Sequence, residues 1–229
     1  MTPFCCVFQM DRVSREDEMT LSFDFATCTG PQRYKLLTGL VVPRPIALIT
    51  TISAEGLVNA APFSFFNVFS EAPPLVVVGL QAWPDGSLKD TTRNVRATGH
   101  FVVHMVDEAF ATAMTRCAIK FPANISEPNA LKLALADGIH GPVPYLADAP
   151  VALECRQVTM MNFGAERDLL VGEILGLHTR DGVVDAGTLR TDYDAYLPVG
   201  RIAGNMYARM GDRFELNVPS LEAWQNERG

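Results

Sequence analysis

"NAAPFSFFNVFSEAPPLVVVGL" (Asn59–Leu80) sets Phe63, Phe65, Phe66 and Phe69 around Ser64 and Asn67, then closes on Pro73-Pro74 and an aliphatic run. A strand buried on both faces has no use for a hydroxyl and an amide between its rings. Two readings stand side by side. The phenylalanines are ordinary core residues, or they wall a pocket for a flat ligand with polar edges. In the second reading Pro62, Pro73 and Pro74 keep the backbone irregular and leave N–H groups for the ligand rim.

The flanking sequence is rich in strands. "IALITTIS" (46–53) is β-branched and aliphatic, "AEG" (54–56) is a turn, and 57–61 returns antiparallel. Residues 75–80 and 101–106 read as further strands. "VALECRQVTM" (151–160) alternates apolar and polar side chains, and "LLVGEILGLH" (169–178) repeats the pattern with Gly172 and Gly176 as bulge or bend points.

Three short helices are expected between them. One follows Asp90 as N-cap and stops at Gly99. A second places Phe110, Ala113, Met114 and Cys117 on one stripe. A third runs from Asn129 to Gly138. Hairpin-like succession with few helices predicts a mainly β fold: an antiparallel barrel with helical excursions, not a parallel doubly wound sheet.

The chain has 229 residues, 48% hydrophobic and 20% charged, which suits one large domain with a real core. Its net charge of −7 and lack of any Lys/Arg block argue against nucleic-acid binding. No apolar run reaches membrane-spanning length. The first residues lack the basic start of a signal peptide, and Met10 and Met19 are alternative starts. Five scattered cysteines without a CxxC indicate neither a disulfide framework nor a zinc site, and a reducing cytoplasm is the expected location. GxGxxG, GxxxxGK[ST] and GxSxG are all absent. His100 and His104 are four apart, but "FVV" between them is strand-like and no HExxH glutamate accompanies them, so no metal site is expected.

An anion site is open to reading at "KDTTRN" (89–94). Lys89, Thr91 and Thr92 gather at the start of a helix, where free N–H groups and the positive dipole end favour phosphate, while Asp90, whose charge would oppose a dianion, is assigned to capping backbone N–H groups. Ordinary capping beside a solvated lysine explains the same residues. Upstream, Pro43 and Pro45 hold Arg44 extended, and Thr50 and Thr51 end the first strand.

The ordered series PRPIA, TT, N-x-APFSFFN, PP, KDT-x-RN and G-x-FVV, followed by "EPNALKLA", "ALECR", "LLVGEILGLH" and "RIAGNMYAR", resembles the flavin reductase-like, FMN-binding split-barrel family, especially its flavoredoxin-like branch. The likeness runs from Tyr34 to Leu216 and selects the ligand reading at both places. It implies a six-stranded antiparallel split barrel of Greek-key type over residues 21–229; residues 1–20 lie outside the likeness and read as a flexible extension. It implies a homodimer holding FMN noncovalently at the interface, with FMN preferred to FAD.

By the same resemblance Thr50 and Thr51 lie near the ribityl phosphate. Asn59, Ala60, Ala61, Pro62, Phe63, Ser64 and Phe65 run along the flavin, with Ser64 and Asn67 at its polar edge. Lys89, Asp90 and Thr91 take the phosphate, with Arg44 as a further contributor, and Asn162, Arg201 and Tyr207 complete the pocket. His104 departs from the asparagine that family members often carry. The implied activity is NAD(P)H-dependent flavin reduction, a hydride passing from nicotinamide to flavin N5 without a catalytic side chain. Electrons then go to free flavin, a partner oxygenase, a metal chelate or oxygen. The alternative is an FMN-carrying electron-transfer or binding protein with no nicotinamide site of its own.

Overall fold

The computed structural model describes residues 7–12 and 19–226. The expected extension over residues 1–20 falls largely outside them, so only two of its strands are described. In chain order the strands are β1 (Val7–Arg12), β2 (Met19–Phe23), β3 (Ala47–Ile52), β4 (Val58–Phe63), β5 (Phe66–Glu71), β6 (Pro74–Gln81), β7 (His100–Met105), β8 (Leu135–Ala136), β9 (Tyr145–Leu146), β10 (Val151–Asn162), β11 (Arg167–Thr179), β12 (Val199–Arg201) and β13 (Tyr207–Arg209). The helices are α1 (Gly30–Leu40), α2 (Asp90–Thr98), α3 (Ala111–Arg116), α4 (Glu127–Leu131) and α5 (Leu221–Asn226). None is long and apolar enough to cross a membrane.

Seven strands form one antiparallel sheet in the order β4-β3-β7-β10-β11-β6-β5, one more than the six expected. The two ends of that order, β4 and β5, are joined only by Ser64 and Phe65. Two residues reach about 7 Å, so the sheet must curl until its edges nearly meet. No ladder links β4 to β5, and the barrel stays split there. Its interior is filled by Ile49, Val76, Val78, Phe101, Val103 and Leu170, all essentially buried. A second cluster outside the sheet joins Leu48 and Ala60 to Phe110, Met114 and Cys117, the stripe expected of the second helix.

The long β10–β11 hairpin carries both glycines singled out in the sequence. Its register slips at Glu154/Cys155, beside Gly176, and at Gln157/Thr159, beside Gly172. A Cβ on Gly172 would come within 2.3 Å of the Phe101 ring, so the glycine makes room for a fully buried core phenylalanine.

The helices differ from expectation in instructive ways. α2 starts one residue earlier than expected, with Lys89 rather than Asp90 at the N-cap, and Gly99 ends it in the left-handed conformation (φ 71°). The third helix is shifted and short. Ser126 caps it by accepting from the Asn129 N–H, and Lys132 turns left-handed at φ 56°, so the apolar residues beyond go to β8. The sequence reading had no α1, although Thr29 and Gln32 form a reciprocal capping box with a proline at its start. The cysteine reading also needs correction. Cys117 and Cys155 are free, whereas Cys28 is disulfide-bonded.

His104 is wholly buried in β7. Its Nδ1–H donates to the Leu48 carbonyl at 2.8 Å, and its Nε2 accepts the Leu146 N–H at 2.9 Å. The ring thus ties β3 to β9, a packing role in the core. Burial pulls its pKa down from 6.5 to about 4. Above pH 6.5 the ring is neutral whether the chain is folded or unfolded. Below it the unfolded chain gains a proton the folded chain resists, so stability falls until about pH 4. The loss should approach about 3 kcal/mol in urea titrations across that window. His104→Ala should cost about 2–4 kcal/mol at pH 7 and flatten the pH dependence.

Candidate functional site

Ser64, at the corner between β4 and β5, lines a cavity of about 730 Å³. Pro62, Phe63 and Ser64 form its floor, and Tyr34 and Thr38 come from α1, one turn apart on the same helix face. Arg44, Arg201 and Tyr207 close the far end. A smaller groove of about 170 Å³ continues past the corner over Phe65, Gly79 and Gln81 to Lys89 and Arg167. Tyr34, Pro62, Phe63 and Ser64 line both, so the two spaces are one elongated depression over a shared strip.

Backbone pairing explains why the strip is open. β4 leaves the sheet at Phe63, and β5 enters it on the opposite edge at Phe66. Between them Phe65 is anchored by its carbonyl, which accepts the Gly79 N–H at 2.7 Å. Its ring stays exposed on one side, 6.3 Å from the Tyr34 ring and 5.8 Å from the Arg167 guanidinium. A Cβ on Gly79 would press the Phe65 side chain at 3.0 Å, so glycine there lets the corner sit down on β6.

Both ends of the depression are cationic. At one end Lys89 lies 4.9 Å over the Trp83 ring, with Lys120 on the same ring at 5.8 Å. Burial lowers the Lys89 pKa, and the charges of Arg167 and Lys120 lower it further. At the other end Arg44 is buried, donating to the Thr38, Val41 and Ile202 carbonyls and to Ser64 Oγ at 3.4 Å. Arg201 bonds the Tyr207 hydroxyl and stacks on its ring. Among the described residues, none of these cations has a carboxylate within ion-pairing distance.

The other residues expected at the site lie behind the strip or away from it. Thr50 and Thr51 have no exposed surface. Thr50 donates to the Pro144 carbonyl, and Thr51 Oγ1 accepts from the amides of Asn59 and Asn94. Asn59 also donates to Thr91 Oγ1 at 3.1 Å, binding β3 and β4 to the start of α2. Ala60 is buried, and its N–H is held by Glu127 Oε2 at 3.0 Å; burial raises that carboxyl's pKa. Ala61 pairs with Ile49 and is half-buried.

Asp90 pairs with Arg93 and faces a separate cleft of about 450 Å³ that Asn59 also lines. Asn67 is exposed on β5 and bonds its neighbour's N–H, and Asn162 is held by Asp168 and the Gly164 carbonyl. Sequence reasoning missed Tyr34, Thr38, Gln81, Lys120 and Arg167. The α1 capping box was a usable signal for the first two. Arg167 is brought opposite Gln81 only by the β6–β11 register.

Comparison with known proteins matches residues 39–196 to the flavin reductase-like domain. A solved structure of Pseudomonas fluorescens 2-nitrobenzoate 2-nitroreductase NbaA is 39% identical, over 87% of this chain and 97% of that one, with a TM-score of 0.80. Nitrilotriacetate monooxygenase component B from Bacillus cereus is 34% identical over 87% and 100% of the two chains, with a TM-score of 0.82. The uncharacterised protein YwrF of Bacillus subtilis is 36% identical over 219 residues, 93% of this chain and 99% of that one.

Proposed function

The chain belongs to the flavin reductase-like family, and from that premise we propose that it is an FMN-binding oxidoreductase that takes hydride from NAD(P)H. The observation that carries this reading is the elongated depression itself. It has an aromatic and proline floor, a corner with a polar hydroxyl, and a cluster of three cations at one end without an acidic partner. A flavin needs flat apolar walls and polar rims, and its phosphate needs compensation in a protein of net charge −7. The donor set fits that group.

In this reading Pro62, Phe63, Ser64 and Phe65 lie against the ring. Lys89 and Arg167 hold the phosphate. Thr50, Thr51, Asn59, Ala60 and Thr91 act from behind by fixing the strip. A bound flavin supplies hydride acceptance at N5. The protein's part is to hold the reacting atoms near contact distance and to keep the strip dry. FMN is preferred to FAD through the family resemblance and the cation cluster at Lys89. We propose further that the working unit is a homodimer, since the depression is open along one side and Phe65, Val68 and Phe69 remain exposed beside it. NbaA acts on a nitro compound and component B belongs to a monooxygenase, so a nitro acid and a partner oxygenase are the two acceptor classes to test.

Purified protein should be yellow, or become so on adding FMN, with the absorbance bands of oxidised flavin. No binding in a spectral titration at micromolar FMN would end the reading. Lys89→Ala should weaken FMN by about 1.5–3 kcal/mol and riboflavin far less, because only FMN carries the phosphate. Equal losses would remove Lys89 from that role. Stopped-flow mixing with NADH and NADPH should bleach the flavin. A loaded protein that neither nucleotide bleaches is an electron carrier without a nicotinamide site.

A further inference from the structure

Arg44 and Arg201 face one another in an unusual way. They form an isolated antiparallel bridge, the Arg44 N–H donating to the Arg201 carbonyl at 2.9 Å and the Arg201 N–H to the Arg44 carbonyl at 2.8 Å. Residues that exchange both bonds have side chains on the same side of the ladder, with Cα atoms about 5.5 Å apart. Like charges directly opposite each other cost stability. Both side chains line the 730 Å³ cavity, no Asp or Glu lines it, and neither arginine has a carboxylate partner among the described residues. Such a pair is tolerated where an anion sits between its members.

We propose that Arg44 and Arg201 together bind the carboxylate of a small, largely apolar acid in the cavity beside the flavin strip. The proposal rests on the flavin lying along the shared strip, with its phosphate at Lys89. Lys89 lines the small groove and not the large cavity. Arg44 and Arg201 line the cavity and not the groove. The two cationic ends therefore serve two different anions.

The donor inventory favours one negative charge. A guanidinium has five N–H donors. Arg44 directs four of them at Thr38, Val41, Ile202 and Ser64. Thr38 and Val41 are at the C-terminal end of α1, whose dipole offers roughly half a negative charge there. Arg201 spends its named bonds on Tyr207 and Gly204 and keeps the rest of its fork for a ligand. The surplus is thus between one and two positive charges, closer to a monoanion than to a phosphate dianion. Phe63, Met114 and Ile46 supply the apolar wall around it.

Benzoate and its neutral isostere benzamide are the probes, titrated by calorimetry into wild type and Arg201→Gln. Benzoate should bind wild type and benzamide should bind at least about tenfold more weakly. Arg201→Gln should weaken benzoate about 10–100-fold, leave benzamide unchanged and leave FMN affinity unchanged, with Arg201→Lys recovering part of the loss. Circular dichroism and the FMN titration check that each variant is folded, and Arg44→Lys is the second variant if Arg201→Gln is not. Absence of benzoate binding at millimolar concentration, equal binding of the two probes, or an Arg201→Gln protein with wild-type benzoate affinity would each overturn the proposal. A variant that loses FMN more than riboflavin would overturn it too, by giving this end to the cofactor's phosphate. Calorimetry on flavin-free protein reads the acid site even where FMN fails to bind, so the two readings fail separately.

Discussion

A corner of two residues governs this molecule. Ser64 and Phe65 join the first and last strands in the order of a seven-stranded sheet. The sheet cannot remain open with its extremes tied so closely, and it cannot close fully either. Pro62 at the end of β4 has no N–H, and the Phe65 carbonyl is already committed to Gly79. The remaining solution is a barrel with a gap, and the gap is the strip that lines both halves of the depression. Fold and site are here consequences of the same short connection.

The strip is held from both sides by polar groups that water does not reach. Beneath it, the Thr51 hydroxyl is shared by the amides of Asn59 and Asn94, and Asn59 reaches on to Thr91. One buried hydroxyl therefore registers β3, β4 and α2 together. Above it, the Arg44 guanidinium links the end of α1, the Ser64 corner and the segment after β12, parts of the chain up to 158 positions apart. Each donor or acceptor so buried would cost about 1–3 kcal/mol if its partner were removed.

Those networks explain what the sequence could convey and what it could not. Alternation in 151–160 and 169–178, the stripe through Phe110 and Met114, and the stop at Gly99 are local patterns, and local physics reads them correctly. The Pro-flanked phenylalanines left core and ligand wall both open, and the structure divides them, with Phe66 in the core and Phe63 and Phe65 on the depression. Thr50 and Thr51 read as hydroxyls offered to a phosphate, but they lie inside the wall. Residue type announces a hydroxyl without saying which face of a strand carries it, and a twofold period leaves both faces open until the partner strand is known. Arg167 and Gln81 meet only through a register between strands far apart in sequence, and no local pattern encodes it. The Thr29–Gln32 capping box is the opposite case, a local signal that was present and went unused.

Charge adds a last constraint. The chain carries 26 acidic and 19 basic side chains, yet Lys89, Lys120, Arg167, Arg44 and Arg201 gather around one depression. Elsewhere arginines are spent on carboxylates: Arg96 on Asp168, Arg156 on Glu173, Arg180 on Asp107. An acidic surface with a positive trough focuses the field into the trough, drawing anions there while repelling them from the rest of the protein. Burial first, and then the charges of Arg167 and Lys120, lower the Lys89 pKa, so an anion placed beside it would compensate a cation that its own surroundings disfavour.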